Sequence, residues 1–491
     1  MSARPFLVLA LLPFLSGTCE APGHSDRAGS PATRAALFDL VSAWTLIREA
    51  RSPAKEAALA VNVEHDMGRL RDTVIGAQTE EDLFYALSRV SNVRRDGHLQ
   101  VRPVPGGLRP AVPPGAPDAN PRFAPLEIHP DFSNWPNPAF FVASAHDSLG
   151  IKPGTSVLSV FDDSVGAYVN RVTPFIAHST RENLMWRIAE LMTLQSSTIP
   201  PQLQAAELHL NLAGHSVQVP YSLAEQPLRR EDPARHYPGA LTELSRASFD
   251  LMTRDSLVIL KWRGFGDKFP EDLQYLMEFA GDEDLLDHTV VLDVTESTGG
   301  RGSVELLRRL TGREFIATWS TLRVSDVRPR HLSAELSEWL EVSYGGASIG
   351  EIVGPVPFKL RHAGADSLLT VTPSPERFRG GLVVISGSRA GSQVDQLVAM
   401  VADNGLGRVV GMPTGGFSNS WEWHETLLWP GTSDPVVEYG WSIGHTLRPD
   451  GSILEGNPAQ PDVYLAYTAQ NHKTYLQQAL ELALQPLPEQ D

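Results

Sequence analysis

At 491 residues the chain exceeds what one ordinary hydrophobic core holds, so two or three domains are expected. A hydrophobic fraction of 42% with 20% charged residues is that of a globular protein, not a disordered one. A formal net charge of −17 lacks the basic footprint that nucleic acid requires, which excludes that class of partner.

The chain opens "MSARPFLVLALLPFLSGTCEAPG", with Arg4, an apolar run from Phe6 to Leu15 and then small residues. That is the layout of a signal peptide over 1–21, and it predicts export to a bacterial periplasm or the extracellular space. The run is too short to span a bilayer comfortably and no later segment is apolar enough, so no transmembrane span is expected. The single cysteine, Cys19, has no partner for an internal disulfide, and its place at the end of the signal makes it a candidate lipid anchor. Residues 22–34 are polar with Pro and Gly, a linker.

From 35 to 102 the pattern is helical: Leu37, Leu40, Val41 and Trp44 share one helix face, and "TEEDLFYALSRV" starts with an acidic first turn. This region ends in "RRDGHLQVRP". Proline and glycine crowd 103–122 and open a β-rich domain over 103–235, with short strands such as "AFFVASAH" and "TSVLSVF" around Gly150 and Pro153-Gly154. Residues 236–491 alternate strand and helix. "LVILKWR", "TVVLDV" and "GGLVVIS" are buried strands; "PEDLQYLMEFAG", "GSVELLRRLTG" and "SQVDQLVAMVADNG" are helices. Together they predict an α/β fold whose C-terminal core is a largely parallel sheet. The long interval 312–380 within this core is a candidate lid or insertion.

No cysteine pair, HExxH or close histidine pair is present, and no Gly-rich phosphate loop follows a strand, so neither a metal nor a cofactor is expected. The segment "SGSRAGSQVDQL" (386–397) lacks GxSxG but sets Ser392 at a helix start, with Val394, Leu397, Val398 and Val401 on one face. Ser392 followed by Asp395 fits a helix cap. It fits a nucleophile equally, because the first-turn amide of Gln393 is an available oxyanion donor.

The run "RFRGGLVVISGSRAGSQVDQLVAMVADNGLGRVVGMPTGG" resembles the core of the C-terminal processing (tail-specific) peptidases and their tricorn-like relatives. Ser392 falls on that family's nucleophile, Asp395 on the following glutamate, and Gly411 to Gly416 on its G-E-x-T-x-G element. "VVLDVTESTGGRGS" is similar to its strand and Gly-Gly loop, and "LRPDGSILEGNPAQPDVYLAYT" to a downstream element. "SLGIKPGTSVLSV" resembles the turn of a PDZ-like domain, and "DGHLQV" the element closing the family's helical region. The resemblance implies a helical region, a small PDZ-like β domain and a peptidase core, in that order.

It also implies a mechanism. The family's Ser–Lys branch needs a lysine where this chain has Phe417, and no lysine lies between Lys359 and Lys473, so the dyad is excluded. The tricorn-like branch uses Ser–His–Glu, which places Ser392, His98 and Glu455 in the triad, with Gly299, Gly300 and Gln393 at the oxyanion hole. His424 and His445 are rival bases; Ser386 and Ser388 are rival nucleophiles. Two departures stand out, Thr295 to Thr298 in place of the family's Arg and Asn, and Met412 in place of its Glu. The implied activity is an exported serine endopeptidase or C-terminal-processing peptidase acting on a peptide or protein substrate. The alternative is a catalytically inactive ligand- or peptide-binding homologue on the same fold.

Overall fold

The computed structural model describes residues 28–222, 236–326, 334–356 and 370–485. The expected signal peptide 1–21, Cys19 and residues 22–27 of the expected linker lie outside the described residues. Among the described residues no helix is long and apolar enough to cross a membrane.

The apolar runs near the centre of the C-terminal half have no solvated face, and they assemble into the middle of a seven-stranded sheet. Its order is Val463–Tyr464, Arg408–Gly411, Leu382–Ser386, Thr289–Asp293, Leu257–Trp262, Phe249–Arg254, Leu241–Ser245. The first five are mutually parallel and the last two complete an antiparallel edge. Alternation along each strand splits the side chains between two layers. Leu260, Leu292 and Val384 meet the helices Phe269–Asp282, Ser303–Leu310 and Gln393–Asp403 on one face. Ile259, Val291 and Ile385 meet Ala479 and Leu480 of the helix Tyr475–Leu484 on the other. The α/β class expected for the core is the one found.

Residues 122–222 build an antiparallel sheet in the order Leu126–Pro130, Phe140–Ala145, Thr155–Val160, Glu207–Leu212, His215–Pro220. The helices Val165–Val172 and Arg181–Thr193 pack with it around Ile128, Phe140, Val157, Leu210, Met185 and Met192. Sequence periodicity does not signal the second helix, because Asn183 through Trp186 are buried in succession and leave no clean polar stripe. Met412, where the family pattern has Glu, is buried in this same core. The departure is therefore an apolar weld between the antiparallel domain and the parallel sheet.

Four helices open the described chain: Pro31–Arg48, Pro53–Ala58, Val63–Ile75 and Glu80–Asn92. The first begins inside the segment expected to be linker, because Ser30 Oγ accepts the Thr33 N–H and Pro31 is pre-set for a first turn. These helices do not form a core alone. Leu37, Val41, Leu83, Leu87 and Val90 pack against Val437, Tyr439, Trp441 and Ile443. The latter belong to the hairpin of Ser420–Leu428 and Pro435–Gly444, more than 300 residues downstream. From 312–380, Trp319–Arg323 pairs with Ile352–Val356 and Thr446–Leu447, and Trp339, Leu340 and Tyr344 join the same helical core. This folding back carries the turn after Asn92 to the C-terminal end of the parallel strands, where open α/β sheets place their sites.

Candidate active site

The chain leaves the sheet at Ser386, turns, and enters the helix Gln393–Asp403 through Ser392. Ser392 and Asp395 form a capping box at this helix start, where a capping serine ordinarily has extended backbone with negative φ. Ser392 instead has φ 62° and ψ −121°, a region a non-glycine residue keeps only when its surroundings enforce it. The enforcing bonds are present: its N–H is directed at Phe417 O (3.0 Å) and at Asp395 Oδ2 (2.8 Å). Asp395 Oδ1 accepts the Gly416 N–H at 2.8 Å, so one buried carboxylate ties the serine turn to the loop after Gly411. Burial pushes the Asp395 carboxyl up to about 7, opposed by the bonds from Thr414, Gly416 and Ser392 and reinforced by Glu455.

The neighbouring serines are occupied elsewhere. Ser386 Oγ donates to Met412 O (2.7 Å) and Ser388 Oγ accepts from Trp186 Nε1 (3.2 Å), at 0% and 1% exposure. Ser392 is only half-buried.

Gly299 faces it. A Cβ on Gly299 would stand 2.6 Å from Ser392 Oγ and 3.6 Å from Gln393 N, so only glycine lets the loop close on this side chain. The loop is pinned by Phe265 N–H to Gly299 O (3.0 Å) and Arg301 N–H to Phe265 O (3.2 Å); Gly300 lies against Phe265. Gln393 is the first helical residue and its amide has no intrahelical acceptor. Glu296, one of the departures, pairs with Lys261 (3.1 Å) and with Arg389 of the serine turn (3.2 Å). Arg389 also reaches Glu190 of the antiparallel domain at 2.9 Å. Lys261 above all holds the Glu296 carboxyl well below the usual range.

His98 follows the helix Glu80–Asn92 in a turn where its N–H donates to Asp96 Oδ1 (2.9 Å). Its ring stands edge-on to Phe417, with centroids 5.2 Å apart. The same Phe417 takes the Ser392 N–H on its carbonyl, and its ring presses on Gly391, where a Cβ would come within 2.2 Å. Phe417, the residue at the family's lysine position, thus touches both the histidine ring and the serine turn. His98 Nδ1 lies 3.3 Å from Glu422 Oε1, an ion-pair approach that lacks hydrogen-bond geometry. Burial pulls the imidazole down, but Glu422, Asp96 and Glu455 outweigh it and the opposing Arg187, and hold His98 above its ordinary value.

Glu455 is fully buried and its contacts are with other groups. Oε1 accepts from Lys55 Nζ (2.9 Å), and Oε2 accepts the N–H groups of Ser418 (2.8 Å) and Asn419 (3.1 Å). Ser418 Oγ in turn donates to Ser392 O at 3.2 Å. Glu455 therefore underlies the serine turn and acts on His98 through space. Burial raises its carboxyl, as does Asp96, while Lys55 lowers it. Lys55 loses to burial but gains more from Glu455, Asp96 and Glu49, so it stays an ammonium and has no lone pair for base catalysis. Of the rival histidines, His445 has Nδ1 at Thr321 Oγ1 (3.2 Å) and Nε2 at Arg51 O (2.9 Å). His424 stands between Glu422 and Glu438, 3.8 Å from each. Lys55 and Glu422 carry no motif in the sequence; only the fold brings them here.

No family model and no curated protein matches the chain by sequence. Among solved structures it is similar to mature CPAF in complex with lactacystin, with a TM-score of 0.66 over 92% of this chain and 98% of that one, at 12% identity. It also aligns with the photosystem II D1 C-terminal processing protease (TM-score 0.43, 12% identity, 88% of this chain and 92% of that one). The tricorn protease aligns at TM-score 0.40 and 12% identity, over 92% of this chain and 36% of that one. The CPAF likeness establishes the fold along nearly the whole length of both chains.

Proposed function

We propose that the chain is an exported serine peptidase of the C-terminal processing, tricorn-like group. Ser392 Oγ attacks the scissile carbonyl while His98 takes its proton, and the oxyanion receives N–H groups from Gln393 and from the Gly299–Gly300 loop. His98 returns the proton to the leaving amine, and water, activated in the same way, releases the acyl group from Ser392. Glu455 supplies buried negative charge that favours the imidazolium. The antiparallel domain, PDZ-like by sequence resemblance, docks an extended peptide by strand addition. Residues 1–21 direct export, with Cys19 as the candidate anchor.

The observation that carries this reading is the backbone of Ser392, held at φ 62° by Asp395 and Phe417 with Gly299 closed against its Oγ. Hydrolysis of an unfolded protein substrate by the full chain is the test. Activity abolished in Ser392→Ala, and reduced at least about 100-fold in His98→Ala, supports it. Folded wild-type protein without hydrolysis across a broad peptide library overturns it in favour of a non-catalytic binder.

A further inference from the structure

We infer that Glu422, on the hairpin strand Ser420–Leu428, is the positioning residue for His98, setting a carboxylate charge beside Nδ1, which has no hydrogen-bond partner among the described residues, and leaving Nε2 for the serine proton. This rests on the reading of His98 as the base. The carboxylates near His98 differ in what already engages them. Glu455, which the sequence resemblance places in the triad, is committed to Lys55 on one oxygen and to two backbone amides on the other. Asp96 is committed to the His98 N–H, Ser442 Oγ and Asn419 Nδ2. Glu422 has Oε1 3.3 Å from His98 Nδ1, an ion-pair separation, and Oε2 3.8 Å from His424 Nε2.

A base that accepts through Nε2 must carry its proton on Nδ1, and a carboxylate beside Nδ1 selects that tautomer and steadies the imidazolium. Charged groups face His98 from every side: Asp96 from its own turn, Glu455 from the C-terminal turn, Arg187 from the helix Arg181–Thr193, and Glu422 from the hairpin with His424 beyond it. Of the charges, Glu422 does most to favour the protonated ring. The hairpin that carries it is the one packed into the helical core, and Arg102, shortly after His98, pairs with Glu438 of the same hairpin.

The experiment is the rate of Ser392 phosphonylation by a fluorophosphonate probe, with loss of fluoride, against pH, for the full chain and its Glu422→Gln, Glu422→Asp and Glu455→Gln variants. Removing a carboxylate that favours imidazolium lowers the pKa of His98, so the free base persists to lower pH. In Glu422→Gln the acid limb therefore moves down by about one pH unit and the plateau rate falls about tenfold or more. Glu422→Asp, which keeps the charge, shifts the limb less, and Glu455→Gln moves it less than Glu422→Gln does. A wild-type limb and plateau in Glu422→Gln, with labelling still dependent on Ser392, overturns this inference and leaves the peptidase reading standing. Absence of any Ser392-dependent labelling in wild type overturns both.

Discussion

Replacing Lys55 by methionine would leave the Glu455 carboxylate, 0% exposed, without the one cation that pairs with it among the described residues, at 2.9 Å, the lysine side chain itself being 5% exposed. Breaking a buried pair from one side costs about 3–5 kcal/mol, because the remaining charge is left uncompensated. Glu455 keeps the amides of Ser418 and Asn419, which places the cost near the lower end, about 3 kcal/mol. The deficit depends on pH in a definite direction. Burial already raises the Glu455 carboxyl, and losing the ammonium raises it further, so the variant takes up a proton on acidification and recovers. Denaturant unfolding followed by circular dichroism at pH 8 and at pH 5.5 measures this. The Lys55→Met chain should show the larger loss at pH 8, and Lys55→Met/Glu455→Gln should regain at least half of it. A single variant that unfolds like wild type at pH 8, or a double variant no better than the single, would show that Lys55 does not compensate a buried Glu455 charge.

Glu49 is buried beside Arg94 and the Ser442 N–H, and burial pushes its carboxyl from an ordinary 4.5 to about 7. A folded-state value raised this way gives stability that is complete below about pH 4.5 and is lost as pH rises to about 7, about 3 kcal/mol in all. Glu49→Gln should flatten that slope in unfolding midpoints between pH 5 and 8; parallel wild-type and variant profiles would contradict it. Gly299→Ala sets a methyl 2.6 Å from Ser392 Oγ and should slow probe labelling by about 100-fold while costing about 1–3 kcal/mol as the loop is pushed away, measured by probe kinetics and unfolding side by side. Ser386→Ala should keep the labelling rate while losing about 1 kcal/mol with the buried bond to Met412 O.

The parts of the fold that sequence alone revealed are those whose signal is local. Thr289–Asp293 and Leu382–Ser386 are continuous apolar runs because both faces of the sheet are covered, and Gln393–Asp403 shows the stripe of a helix buried on one side. Ser392 was separable from Ser386 and Ser388 because it alone adjoins a helix start. What stayed hidden is the choice of partners. Lys55 and Glu455 are 400 positions apart, and nothing in "PAKEAA" distinguishes a lysine bound for a buried carboxylate from one on a solvated helix face. Glu422 sits in "WEWHET", where strand alternation gives its face but not the histidine it meets. The helical region was legible as helices, yet its reliance on Tyr439 and Trp441 for a core was not, since a strand's apolar face does not name what covers it. Met412 and Glu296 departed from the family pattern for reasons visible only in three dimensions: one is buried in the antiparallel domain, and the other bridges Lys261 and Arg389.

The central claim is that Ser392 is a nucleophile. The most direct measurement is to react the full chain with a fluorophosphonate at neutral pH, digest it, and locate the adduct by peptide mass spectrometry. One modified residue is expected, Ser392, with Ser386 and Ser388 unmodified and no adduct in Ser392→Ala. An adduct on another serine, or none on correctly folded wild-type protein, would contradict it.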